Sequence, residues 1–108
     1  AMQATIQLVL KIGRRPPLYL GAWQDISHLE ALLTGYVLRA YEDPRAREDV
    51  EALFQGFGRF VAEQYQDTRS LSPGEMICRH TSSDEEAFQT YFALFQEYVE
   101  QGRQKGRS

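Results

Sequence analysis

The sequence predicts an all-α fold: a small bundle of three long helices, with an N-terminal helix and a short helix or turn before the last one. Two observations carry this. Apolar residues recur at helical spacing along three long stretches, and each stretch opens on residues suited to cap a helix. A third supports it: the one run that alternates like a strand has no second run to pair with.

That run is residues 5–12, Thr-Ile-Gln-Leu-Val-Leu-Lys-Ile. Ile6, Leu8, Leu10 and Ile12 fall at period two, whereas Ile6, Val9 and Leu10 fit one helix face. A lone strand is not stable, so a helix is expected. Arg14 and Arg15 would close it, because cations favour a helix C-terminus. Pro16 and Pro17 then stop it and set an extended path. Leu18, Tyr19 and Leu20 are expected to fold back on the core, with Gly21 permitting a sharp turn before Trp23.

The first long helix is expected over residues 27–41. Ser27 and Glu30 have capping-box spacing, and Ile26, Leu29, Leu33, Tyr36, Val37 and Ala40 form one stripe. Leu38 lies off it, either covered by a second neighbour or exposed on a contact face. The second opens at Asp43-Pro44, an N-cap followed by a proline where the missing N–H costs nothing. It runs to about residue 66, with Val50, Leu53, Phe54, Phe57, Val61 and Tyr65 inward and Phe60 flanking. Glu48, Gln55, Arg59 and Ala62 should face water. Gly35, Gly56 and Gly58 lie inside helices and read as sites of close helix approach, with a functional kink as the alternative.

Residues 67–82 contain Ser72-Pro73-Gly74, a turn or the start of a short helix over residues 75–80. The third long helix is expected over residues 84–102, capped by Ser83 and Glu86. Its stripe of Phe88, Tyr91, Phe92, Phe95, Tyr98 and Val99 reads as core. Gly102 should end it, leaving residues 2–101 as a single helical domain and residues 102–108 as a flexible polar tail.

The chain has 108 residues, one domain's worth, with 43 % hydrophobic residues and a net charge of −3. Three of its basic residues, Arg103, Lys105 and Arg107, lie in the tail, so the body is more acidic still. A phosphate-binding surface needs clustered cations, so nucleic acid is not an expected partner. Cys78 is the single cysteine. It allows no intrachain disulfide and fits a cytoplasmic setting. The start lacks a basic and then apolar leader, and Ala1 reads as an addition ahead of a natural start at Met2. No apolar run reaches membrane-spanning length, so no membrane partner is expected.

Chemistry is sparsely encoded. Cys78 and His80 are two residues apart and would diverge on a helix, and His28 is the only other histidine. Zinc needs three or four ligands at set spacings, so neither a metal, a cofactor nor a catalytic residue is expected. No phosphate-binding glycine loop or serine elbow is present. The carboxylates Glu42, Asp43, Glu48, Asp49 and Glu51 gather at the start of the second long helix. They form either a solvated, dipole-complementing surface or a docking face for a basic partner, with Tyr41 as an aromatic anchor.

The segment Arg15-Pro16-Pro17-Leu18-Tyr19-Leu20-Gly21 resembles an Arg-Pro-x-Met-Tyr-Leu/Ile-Gly elbow, with Leu18 for Met and Pro17 for the usual Gly. A similar elbow occurs in the ATPase domain of type II topoisomerases. There an acidic catalytic helix precedes it, whereas no Asp or Glu precedes it here, so ATP hydrolysis is not implied. A wider resemblance covers most of residues 5–100. It includes residues 26–36, residues 57–65 and the Ser83-Asp84-Glu85-Glu86 start of the last helix. On these the chain resembles immunity proteins of polymorphic-toxin and contact-dependent growth inhibition systems. Residues 71–76, Leu-Ser-Pro-Gly-Glu-Met, depart from the small-aromatic turn usual before the last helix.

The resemblance implies a non-enzymatic protein, monomeric or weakly dimeric, that neutralises a cognate protein toxin by stoichiometric binding. A basic nuclease domain would suit the acidic body. A general helical adaptor, or a subunit of a larger assembly, is the alternative.

Overall fold

The computed structural model describes residues 2–21, 25–40 and 42–106. Trp23 and Tyr41 lie outside them. Six helices follow one another: α1 (Met2–Arg14), α2 (Pro16–Leu20), α3 (Ile26–Ala40), α4 (Pro44–Tyr65), α5 (Pro73–Arg79) and α6 (Asp84–Gly106). No strand occurs among the described residues, and no helix is long and apolar enough to cross a membrane.

Residues 5–12 are helical, as their partnerless pattern requires. Val9 and Ile12 enter the core and the Thr5 hydroxyl, also buried, donates to the Tyr36 hydroxyl at 3.1 Å. A polar side chain is tolerated inside because it is hydrogen-bonded there.

The elbow differs from expectation. Pro16 and Pro17 start the short helix α2 instead of an extended path, because a first helical turn needs no N–H from its opening residues. The break sits at Arg15, held at φ −138° ahead of a proline. Gly21 closes α2 at φ +60°, its N–H donating to the Pro17 carbonyl. With the chain coiled in this way only Leu20 packs on the core; Leu18 and Tyr19 face out, Leu18 at 69 % exposure.

The cap of α3 also differs. Asp25, not Ser27, holds the first turn: its carboxylate accepts from the His28 backbone N–H at 2.9 Å and lies 2.8 Å from His28 Nδ1. Asp25 stands two residues ahead of Ser27, and capping from there leaves Glu30 free for a tertiary contact. Asp43 caps α4 as expected, accepting from the Arg45 N–H at 3.0 Å. Gln66 ends α4 in a left-handed conformation at φ 51°. Ser83 accepts from the Glu86 N–H at 3.1 Å, while the Glu86 carboxylate turns to Ser82 at 2.7 Å.

The core gathers Ile26, Leu29 and Leu33 from α3, Leu53, Phe57 and Val61 from α4, Met76 and Ile77 from α5, and Phe88, Tyr91, Phe95 and Val99 from α6. Ala62, expected in water, is half-buried against this core. α6 does not stop at Gly102 but runs on to Gly106. One glycine costs about 1 kcal/mol relative to Ala, too little to end a helix flanked by Gln101, Arg103, Gln104 and Lys105, all good helix formers.

The helix glycines divide. At Gly56 an added Cβ would strike the Tyr98 hydroxyl, and at Gly74 it would strike Glu30 and Ile26. These are close approaches. Nothing lies within 4 Å of such an atom at Gly35, and only the Pro73 ring edge, at 3.7 Å, at Gly58.

Candidate protein-interaction site

The acidic residues of the α3–α4 turn divide by role. Asp43 is the helix cap. Glu42 is exposed and pairs with Arg39 at 3.5 Å. Glu48 is exposed, and Asp49 and Glu51 are half-buried. Glu48, Glu51 and Gln55 follow i, i+3, i+7 spacing, so they line one side of α4. Arg45 and Arg47 share these first turns and dilute the charge locally. Tyr41 lies outside the described residues, so its expected anchoring role has no geometry attached.

That side of α4 borders an open cleft of about 280 Å³ between α3 and α4. Leu33, Thr34 and Val37 form one wall and Val50, Glu51, Phe54 and Gln55 the other. Glu30, Pro73 and Tyr91 complete the lining. Glu51 therefore joins the acidic turn to the cleft.

Glu30 and Tyr91 are the cleft residues that sequence reasoning missed. Spacing assigned Glu30 to a cap with Ser27. Instead its carboxylate crosses to the α5 start, where the Ser72 hydroxyl donates to Oε1 at 3.2 Å. Ser72 at the same time caps α5, accepting from the Glu75 N–H. The glycine at position 74 makes room for the carboxylate. Burial, with the nearby Glu75 charge, pushes the Glu30 carboxyl above its ordinary value, against the pull of the Ser72 hydrogen bond.

Tyr91 belongs to the aromatic stripe as expected: its ring meets Phe57 edge-on at 5.2 Å and is 2 % exposed. Burial pushes its hydroxyl far above the ordinary range, and the Glu30 charge adds to this.

The Cys-x-His pair does not converge on a nucleophile. Cys78 is exposed, and its thiol is pushed up by desolvation and by the carboxylates Asp84, Glu30, Glu75 and Asp25, the opposite of the environment that activates a thiolate. His80 is exposed but tied down. Its ring stacks on Tyr65 at 4.3 Å, and Nε2 lies 2.9 Å from Asp67 Oδ2. Arg69 Nε donates to the same carboxylate at 3.0 Å. Hydrogen bonds from Arg69 and His80 hold Asp67 well below the usual carboxylate range. The cluster fastens the α4–α5 loop to the end of α5. Among the described residues no three of His, Cys, Asp and Glu stand close enough to hold a metal ion.

Comparison with known protein families, with characterised proteins and with solved structures gave no match.

Proposed function

We propose that the chain is a non-enzymatic, cytoplasmic protein-binding protein: an immunity protein that neutralises a cognate bacterial toxin by one-to-one occlusion. The observation that supports this best is the cleft between α3 and α4. It has apolar walls for a buried contact and carries Glu51 at the edge of the acidic turn. Interfaces combine these two parts, because charge steers the encounter and a desolvated cluster holds it. A basic toxin domain, such as a nuclease, complements the acidic rim.

The test is a binding titration against a basic toxin domain encoded beside this chain, over a range of salt concentrations. Reversing Glu48, Asp49 and Glu51 together to Lys should weaken binding by about a hundredfold and flatten its salt dependence, since close charge pairs couple by about 1.5–7 kcal/mol. Unchanged affinity and salt slope in the triple variant would sink the proposal.

A second reading, an adaptor or assembly subunit, is favoured by Leu38, which α3 leaves 62 % exposed. It requires a stable homo-oligomer in sedimentation that Leu38→Glu dissociates.

A further inference from the structure

We infer that the floor of the α3–α4 cleft is a socket for one lysine side chain of the partner protein, the ammonium held between Glu30 and Tyr91 and the alkyl stem laid along Val37 and Phe54. This rests on the cleft being the partner-binding face.

Size comes first. At about 280 Å³ the cleft lies just under the range of about 300–1,000 Å³ that drug-sized ligands occupy, and suits a single long side chain. Charge comes second. The ionisable carboxylates lining it are Glu30 and Glu51, and among the described residues no cationic side chain shares the lining. An anionic occupant would be repelled and a cationic one drawn in.

The third observation is Tyr91. Its side chain is 2 % exposed, it lines the cleft, and among the described residues its hydroxyl makes no hydrogen bond. Among the described residues no side-chain nitrogen or oxygen sealed from solvent lacks a partner, so that hydroxyl opens onto the cleft its side chain lines. A phenol there can accept from a cation.

The donor geometry selects ammonium over guanidinium. Ser72 already donates to Oε1 of Glu30, which spoils the two-oxygen edge that a guanidinium prefers. An ammonium has three independent donors and can meet Glu30 Oε2 and the Tyr91 hydroxyl separately. Burial raises the Glu30 carboxyl in the empty cleft; an adjacent cation would bring it down again.

The experiment titrates the full chain with Nα-acetyl-lysine methylamide, followed by amide and Glu side-chain NMR shifts. The norleucine and arginine counterparts serve as the uncharged and planar-cation controls. The lysine compound should shift residues 30–37 and 50–55 saturably and move the Glu30 titration to lower pH. Glu30→Gln should weaken it by about tenfold, as loss of a charge-assisted hydrogen bond implies. Tyr91→Phe, which keeps the packed ring, should also weaken it by about tenfold, the loss of a hydrogen bond to a charged group.

An equal response to norleucine, a stronger one to arginine, or shifts confined to other residues would overturn the inference, as would no shift up to the solubility limit. The two proposals fail separately. A silent cleft alongside rim-dependent toxin binding sinks only the lysine socket. A responsive cleft with toxin binding indifferent to the rim sinks only the immunity reading.

Discussion

Helix α4 has two flanks packed on different terms. Toward α6, Phe57 meets Tyr91 and Phe95 edge-on at 5.2 and 5.1 Å. Tyr98 lies over Gly56 and donates to the Leu53 carbonyl at 3.3 Å. Toward α3, the same helix leaves a cleft of about 280 Å³ whose lining runs from buried Leu33 and Val50 to exposed Thr34 and Gln55 and is in part charged. Tyr91 belongs to both sides, with its ring in the closed seam and its hydroxyl making no hydrogen bond among the described residues. The closed flank holds the larger share of the buried aromatic packing, and the open one leaves a half-buried acid, Glu51, at its edge. Such a division lets a binding surface keep exposed apolar walls and a half-buried acid without loosening the fold.

The largest expected effect comes from opening the closed flank. Phe57 is fully buried at the centre of the aromatic seam. Phe57→Ala should cost about 3–5 kcal/mol, the range for a buried phenylalanine, and shift the denaturant midpoint accordingly. The equivalent truncation on the open flank, Phe54→Ala, should cost clearly less, because Phe54 is only partly buried. Equal losses would erase the distinction between the flanks.

Two glycines sharpen it next. Gly56→Ala drives a methyl into the Tyr98 hydroxyl, whose ring is fixed against Phe57 and Phe60. A destabilisation of about 1–3 kcal/mol is expected from overpacking of this kind. Gly35→Ala adds a methyl in open space on exposed α3. It should stabilise by about 0.4–1 kcal/mol through helix propensity and a less flexible unfolded chain. Thermal unfolding of the pair should therefore show shifts of opposite sign.

The smallest effects are in pH dependence, and their signs differ between two carboxyls. The folded chain holds the Glu30 proton more tightly than the unfolded chain, because burial raises that group. Stability is therefore lost as pH rises from the usual glutamate range through the folded value. Glu30→Gln should remove that loss. Asp67 is lowered by Arg69 and His80. Its contribution is fully present above the usual aspartate range and lost as pH falls below it, and Asp67→Asn should remove its share of the acid-side slope, leaving that of Asp25 and Glu86. Stability measured across pH for both variants checks the two signs.

Much of the fold was legible in the sequence because helical periodicity and first-turn caps are local. Asp43-Pro44 and Ser83 mark helix starts that need no tertiary information. The exceptions are places where local signals tie. Asp25 and Ser27 both suit a cap, and the contact from Ser72 to Glu30 goes with the choice of Asp25. Two prolines both stop one helix and begin the next, so the same pair reads as a break or as a first turn. Gly102 looks like a stop and is passed through.

The candidate site was legible only at its rim. Glu48, Asp49 and Glu51 stand out as charge, but the cleft beside them depends on how far α3 and α4 splay, which no spacing reports. The Tyr91 hydroxyl is hidden in an aromatic stripe that reads correctly as core. The ties of His80 were not legible, because Tyr65 and Asp67 lie 13 or more positions away and meet it only through the loop between α4 and α5.

The most direct test of the open flank as the binding face is residue-resolved amide exchange in the complex with a basic toxin domain encoded beside this chain. The account predicts slowed exchange at residues 30–37 and 48–55, with α2 unchanged. Protection confined to α2 and the Leu18–Tyr19 surface, with the α3–α4 cleft as open as in the free chain, would contradict it.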